Sequence, residues 1–329
     1  MTELVDAQFY TSLKTTLAPT NGAGTPTFTR ATTKNIFDNE GKLISVKSGA
    51  VTLGGARVVQ NLYANSEDFT TYSSYICTVA NVTTATPFSA SGTISRVTAN
   101  AVAGAPYVYK ATPVVIVGDR VVITLYLKAI THNYIQIYTS NTKRYVNFDI
   151  STGVVGTIGT EIIYADIVPA DNGWYRIGII YDSVFSNYAC AVSFVTSASA
   201  AWNSAGTYSG TEQFYIFGQA LDTSNKSITA LNLADDSNYI SAGVLSSPYH
   251  GAGADGVKYF DTDSSGVAIP DSTMLGAHID PESKTNNLLW CRDLTNAAWV
   301  KTNATAAKTQ TGIDAVAKSC SLLTAGADD

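Results

Sequence analysis

Tyr126, Lys128, Gln136, Tyr138, Trp174 and Arg176 recur at alternate positions of runs whose other positions are largely Ile, Leu and Val. Successive side chains of a strand point to opposite faces. If Ile123, Leu125, Ile135, Ile137, Ile177 and Ile179 point into a core, those six residues point away from it. Tyr215 and Gln219 join them from a later strand. Flat rings can cover the apolar faces of a pyranose, while amide and guanidinium groups meet its hydroxyls. The chemistry open to such a face is sugar recognition. A second reading has the rings rimming the core, their polar atoms satisfied at its edge. Trp174, at the start of its run, is expected to pack in that way. For Tyr126, Gln136 and Tyr138 both readings stand.

Other constellations point to no chemistry. Asp261-x-Asp263-x-Ser265-Gly266 begins like a calcium loop, but Ser272 stands where the bidentate Glu belongs, so a polar turn is expected. His132, His250 and His278 have no sequence neighbours that would form a metal or triad signature, and read as loop or surface residues. Cys77, Cys190, Cys291 and Cys320 lack clustered spacing and read as small buried hydrophobes. No carboxylate pair stands out. No catalytic residue, metal ligand or cofactor site is assigned.

The elements that must position the candidate face are strands. Val121, Ile123, Leu125, Leu127 and Ala129 alternate with Val122, Thr124, Tyr126 and Lys128. Ile135 and Ile137 alternate with Tyr134, Gln136 and Tyr138. Further strands are expected at 106–111, 144–149, 161–167, 174–182, 189–196 and 213–220. Between them lie turn residues at Gly118-Asp119, Ser151-Thr152-Gly153, Asp171-Asn172-Gly173 and Ser224-Asn225. Many short strands at this spacing predict an all-β, antiparallel sandwich. Helix is expected only over the first 18 residues. There Val5, Phe9, Leu13 and Leu17 form one apolar stripe, ended by Pro19 and followed by a Gly- and Pro-containing connector over 20–27.

Composition agrees with this class. Charged residues are 14% of the 329, against about 25% in an average soluble domain. The 19 tyrosines suit half-exposed strands. A net charge of −6 supplies no basic field for a phosphate backbone, so nucleic acid is excluded as a partner. No apolar run approaches the roughly 18 residues that a membrane-spanning helix needs. Glu3 and Asp6 stand where a secretory signal carries Lys or Arg, so synthesis and folding in a cytoplasm are expected.

One segment occurs twice. Phe37-Asp38, Gly41, Asn61-Leu62-Tyr63, Ser66-Glu67-Asp68-Phe69 and Tyr72 are echoed by Phe260-Asp261, Gly266, Asn287-Leu288-Leu289, Arg292-Asp293-Leu294 and Trp299. The distance between copies is that of a domain, longer than the roughly 20 to 50 residues of a solenoid repeat. The expected organisation is an N-terminal helix and linker (1–27), a sandwich with its lead-in (28–250), a linker with a second lead-in (251–285) and the start of a second, truncated sandwich (286–329). On this reading the chain is the front part of a longer modular protein.

The order Phe28-x-Arg30-Ala31-Thr32, Phe37-Asp38-x-x-Gly41-x-Leu43, Arg57-x-x-x-Asn61-Leu62 and Ser66-Glu67-Asp68-Phe69 has a further continuation. It runs on through Asp149-x-Ser151-Thr152-Gly153, Asp171-Asn172-Gly173-Trp174-Tyr175-Arg176 and Tyr215-Ile216-Phe217-Gly218-Gln219. This resembles the carbohydrate-binding-module-like jelly rolls of tailed-bacteriophage tail fibres, tailspikes and capsid appendages. The resemblance covers residues 28 to about 250 and restarts near 257. Val58-Val59-Gln60 departs from the family's usual run, and residues 1–27 match nothing in it. The resemblance implies a non-catalytic structural component of a virion, assembled in the host cytoplasm. Residues 1–27, through Val5, Phe9, Leu13 and Leu17, would attach it to other virion proteins. The sandwich would touch host-surface glycans through Tyr126, Lys128, Gln136, Tyr138, Arg176, Tyr215 and Gln219. A homotrimer is implied, with no cofactor and no membrane insertion. Two alternatives accompany this reading: a polysaccharide depolymerase whose catalytic part lies beyond residue 329, and a purely architectural or capsid-decorating protein.

Overall fold

The computed structural model describes residues 30–111, 118–139, 143–183, 189–223, 228–234, 239–243, 256–277, 293–311 and 318–326, apart from positions 33, 40, 42, 47, 119, 264, 265 and 319. The expected helix over residues 1–18 and its connector lie outside these residues. Helix among the described residues is limited to single 3₁₀ turns such as Phe69–Thr71. The chain packs as two compact units: Val59–Lys258, and Met1–Val58 with Tyr259–Asp329.

The Val59–Lys258 unit is an antiparallel β-sandwich. Its main strands are β1 (Ser73–Tyr75), β2 (Cys77–Thr84), β3 (Gly92–Ala99), β4 (Tyr107–Ala111), β5 (Arg120–Ala129) and β6 (Tyr134–Tyr138). They continue with β7 (Tyr145–Asp149), β8 (Val154–Ile158), β9 (Ile162–Pro169), β10 (Tyr175–Asp182), β11 (Ala189–Phe194) and β12 (Gln213–Asp222). Among the described residues one six-stranded sheet runs β9-β10-β5-β12-β3-β2 and the other β8-β7-β6-β11-β4-β1. The chain passes from sheet to sheet between β3, β4, β5 and β6, and again between β10, β11 and β12. That alternation is the jelly-roll manner of winding. The expected strands are all present, and the expected inward set (Ile123, Leu125, Ile135, Ile137, Ile177 and Ile179) is buried in one cluster between the sheets.

β12 departs from a plain period of two. Phe214 and Ile216 face the core, Phe217 faces away, and Leu221 faces the core again. An odd step between two inward residues requires a bulge, and the register against β5 shifts between Thr124 and Tyr126. Gly218 sits in the bulge at φ +65°, where a Cβ would lie 3.0 Å from the Tyr239 ring and 3.1 Å from that of Tyr126. The bulge re-aims Gln219.

Asn61 locks this region. Its Nδ2 donates to the Gln219 and Ile240 carbonyls (3.1 and 2.8 Å), and its Oδ1 accepts from the Tyr63 and Leu221 N–H groups (3.0 and 3.1 Å). Ser66 follows the same logic. Its Oγ accepts from the Ala242 N–H and pairs with the Tyr239 hydroxyl, while its carbonyl accepts from the Gln219 N–H. The Asn-Leu and Ser-Glu-Asp-Phe elements that carry the family resemblance therefore act as internal clamps.

Antiparallel pairs of the other unit are Lys34–Phe37 with Leu43–Val46, Leu53–Gly54 with Gly276–Ala277, and Ala304–Gln310 with Cys320–Ala325. The Tyr259 hydroxyl donates to the Val51 carbonyl, and the Arg57 guanidinium lies 4.0 Å from the centre of the Phe260 ring. Thus 251–285, read as a linker and lead-in, holds ordered pairings where it is described. Gly266 N–H donates to the Asp263 carbonyl and Val267 N–H to Asp263 Oδ1.

The sequence repeat has a structural counterpart. Asp68 Oδ1 accepts from Thr70 N–H and Oγ1 (3.1 and 2.5 Å), and Asp293 Oδ1 accepts from Thr295 N–H and Oγ1 at the same distances. Phe69 N–H donates to Ser95 Oγ, and Leu294 N–H to Ser321 Oγ, each at 3.0 Å. Ile76 and Asn303 both adopt positive φ, and their carbonyls accept from Asn100 and Gly326 respectively. Leu323 then corresponds to Val97. Val97 is fully buried in the sandwich, whereas Leu323 is 52% exposed.

Candidate functional site

The structure separates the predicted site residues into two groups on different sheets. Tyr126, Lys128, Arg176, Tyr215 and Gln219 belong to the first sheet; Gln136 and Tyr138 belong to the second. They do not form one face.

The outer side of the first sheet is covered by the chain's own loops. Tyr126, Trp174, Phe217 and Tyr239 bury one another there with Ile94, under Phe88, which stacks on Tyr239 at 5.6 Å. Trp174 packs as expected, its Nε1 donating to the Ala85 carbonyl at 3.0 Å. Tyr126 is fully buried, so of the two readings open for it the packed one holds and the exposed glycan-facing one does not. Arg176 is also buried, donating to the Leu233 carbonyl with its guanidinium 5.6 Å from the Tyr126 ring centre. Gln219 is turned by the bulge toward the interior, beside the Cys190 thiol. Lys128 donates to the Asn172 carbonyl at 2.6 Å, and Tyr215 stacks on Trp174 at 6.1 Å. The last two are half-buried.

The outer side of the second sheet is only partly covered. Residues 198–203 cross it over β8, β7 and β6. The Ala198 carbonyl accepts from Thr157 N–H, the Ala200 carbonyl from Asn147 Nδ2, and the Ala201 carbonyl from Gln136 Nε2. Gln136 is therefore a buried bracket, and its Oε1 also accepts from Asn203 N–H at 2.7 Å. This loop delivers Trp202, whose Nε1 donates to the Thr139 carbonyl.

Beside the loop, β6, β4 and β1 present a row of aromatic rings. Tyr75 stacks on Tyr107 at 5.2 Å, Tyr107 meets Tyr138 edge-on at 5.9 Å, and Tyr138 meets Trp202 edge-on at 5.8 Å. Tyr109 lies 5.6 Å from Tyr107. On β11 the intervening outward positions are Ala191 and Ser193, small enough for the Tyr107 and Tyr138 rings to meet above them. Tyr75 is 53% exposed, and Tyr107, Tyr109 and Trp202 are half-buried. Tyr138 is 6% exposed and donates to Asn203 Oδ1. Among the described residues, none hydrogen-bonds the hydroxyls of Tyr75, Tyr107 or Tyr109. Burial, and then the neighbouring Tyr109 and Tyr75 hydroxyls, hold the Tyr107 phenol above its ordinary pKa, so it stays neutral. The row can offer apolar ring surface and neutral hydroxyls to a ligand.

Of the sequence candidates, Tyr138 is part of this row and Gln136 supports it. Tyr75, Tyr107, Tyr109 and Trp202 were not singled out by sequence reasoning. The alternation of Tyr107 and Tyr109 about Val108 was a usable signal; Trp202, in an irregular loop, had none. His132 is a loop residue, as expected, and half-buried: it packs beside Phe194 and Tyr208 with one ring nitrogen near the Tyr134 and Val195 carbonyls. Cys77 and Cys190 are buried as expected, and burial pushes the Cys190 thiol up to about 12. Cys320 is exposed, contrary to that reading, and Cys291 lies outside the described residues. No cluster of His, Cys, Asp or Glu among the described residues could hold a metal.

The chain matches no family model and no curated protein. Among solved structures it is similar to the enzymatically active domain of tailspike protein 4 from bacteriophage CBA120, with a TM-score of 0.30 and 10% identity over 49% of this chain. That match spans only 21% of the tailspike domain. The carbohydrate-binding module TmCBM61, solved in complex with beta-1,4-galactotriose, gives TM-score 0.30 and 12% identity over 49% of this chain and 97% of the module. A structure of carbohydrate-binding modules from the β-sandwich superfamily gives TM-score 0.30 and 13% identity over 54% of this chain and 66% of the other. By its own strand order and register, the chain is an all-β protein built on an antiparallel β-sandwich.

Proposed function

We propose that the sandwich binds glycan through Tyr75, Tyr107, Tyr109, Tyr138 and Trp202, as part of a bacteriophage virion appendage. The observation that carries the binding role is the aromatic row left open on the second sheet, while the rings of the first sheet are covered by the chain's own loops. Rings with available hydroxyls suit a ligand that is apolar on its faces and hydroxylated at its edges. The test is a glycan array on the full chain, followed by titration of the best binder. Tyr107→Ala and Trp202→Ala should each weaken binding about 30-fold, the effect of losing a central aromatic anchor of about 2 kcal/mol. Tyr215→Ala, on the other sheet, should leave affinity unchanged. Equal loss in all three variants, or none, would sink the assignment.

The virion role is supported by the sequence motifs. In this reading residues 1–27 attach to the particle through Val5, Phe9, Leu13 and Leu17, the assembly is a homotrimer, and residues 286–329 open a second sandwich. The matching hydrogen bonds of Asp68 and Asp293, and of Phe69 and Leu294, support the last point. A chain lacking residues 1–26 should fold but be missing from purified particles. Normal copy number in particles would contradict the attachment.

A further inference from the structure

We infer that the glycan held by the tyrosine row is uncharged, a neutral hexopyranose chain carrying no carboxylate or sulfate. This rests on the glycan-binding reading above and narrows it to a ligand class. Across the open strands the outward positions are Ser73 and Tyr75 on β1, Tyr107 and Tyr109 on β4, and Ala191 and Ser193 on β11. None is charged. The cations nearest in sequence are engaged elsewhere. Lys110, which follows Tyr109 and points to the opposite side, lies 4.2 Å from the Tyr72 ring centre and donates to the Ala64 carbonyl. Arg144 is buried and pairs with Glu161 at 2.7 Å, with Lys143 3.7 Å from the same carboxylate.

The other sheet provides the contrast. Its outward positions include Arg96, Lys128 and Arg176, in register with Tyr215 or Tyr126. Arginine is the side chain suited to binding carboxylate and phosphate by paired hydrogen bonds. The sandwich thus carries Arg96, Lys128 and Arg176 on the face its loops cover, and no cation at the described outward positions Ser73, Tyr75, Tyr107, Tyr109, Ala191 and Ser193 of the open strands. An anionic sugar on the tyrosine row would lose hydration with no cation to replace it, a desolvation that proteins do not leave uncompensated. Phenol hydroxyls, each both donor and acceptor, match the hydroxyls of a neutral sugar. The raised pKa of Tyr107 agrees, since it reports an environment unfavourable to negative charge.

The test uses the full chain and three pairs of oligosaccharides of equal length that differ only at C6: glucan and glucuronan, galactan and galacturonan, mannan and mannuronan. Calorimetric titration at about 0.02, 0.15 and 0.5 M NaCl brackets the screening range of ionic interactions. At least one neutral oligomer should bind, with Kd changing less than about twofold across salt, and its C6 carboxylate partner should bind at least about tenfold more weakly, a difference of about 1.4 kcal/mol. Tyr107→Ala should weaken the neutral binding about 30-fold. Preference for an acidic partner, with affinity falling as salt rises, would overturn the neutral assignment while leaving glycan binding intact. Binding to none of the six would instead remove the glycan reading itself.

Discussion

Asn61→Ala should destabilise the sandwich by about 4 kcal/mol, since a buried group that loses its partner costs about 1–3 kcal/mol and this side chain serves four groups. The Asn61 amide is 3% exposed and ties three distant stretches together: residues 61–63, the β12 bulge and residues 239–243. Alanine leaves the Tyr63 and Leu221 N–H groups and the Gln219 and Ile240 carbonyls without this partner in a space closed to solvent. Equilibrium urea unfolding, followed by the fluorescence of Trp174 and Trp202 in the same unit, would measure the change. A shift below about 1 kcal/mol would mean that the four bonds are replaced on relaxation, and that the clamp is not what holds the bulge.

Gly218→Ala should cost about 3 kcal/mol, combining about 1–2 kcal/mol for an L-residue in the left-handed region with about 1–3 kcal/mol for overpacking. The backbone at φ +65° is dictated by the bulge, and the added methyl would press on the Tyr239 and Tyr126 rings at 3.0 and 3.1 Å. The damage should be local to the covered face. Trp174, part of the same cluster, should change its emission, while Trp202 on the other sheet should not. A variant as stable as the parent would show that the bulge can slip along β12, and the parity switch that buries Gln219 would lose its physical basis.

The strands and the inward side of both sheets were legible in the sequence because a period of two records burial directly. The motif around Asp171-Asn172-Gly173-Trp174 was legible too, and its role is mechanical: Asn172 takes positive φ, and its Nδ2 and Trp174 Nε1 hold the loop through Thr86 and Ala85. What alternation cannot record is which outward face stays open. Residues 85–88, 231–234, 239–243 and 198–203 lie over the sheets without any period of their own. Two faces that look alike in sequence therefore end differently, one sealed around Tyr126 and one open at Tyr107. Nor does alternation survive a bulge. Gln219 falls in phase with Tyr215 when counted by twos, yet Gly218 breaks the count and turns it inward.

The central claim is that ligand contact occurs on the second sheet and not on the first. Hydroxyl-radical footprinting of the full chain, with and without the tightest-binding neutral oligosaccharide at saturation, reads this residue by residue. Protection should appear at Tyr75, Tyr107 and Trp202, while Tyr215 and Lys128 on the other sheet keep their reactivity. Protection confined to Tyr215 and Lys128, with the tyrosine row unchanged, would contradict the account.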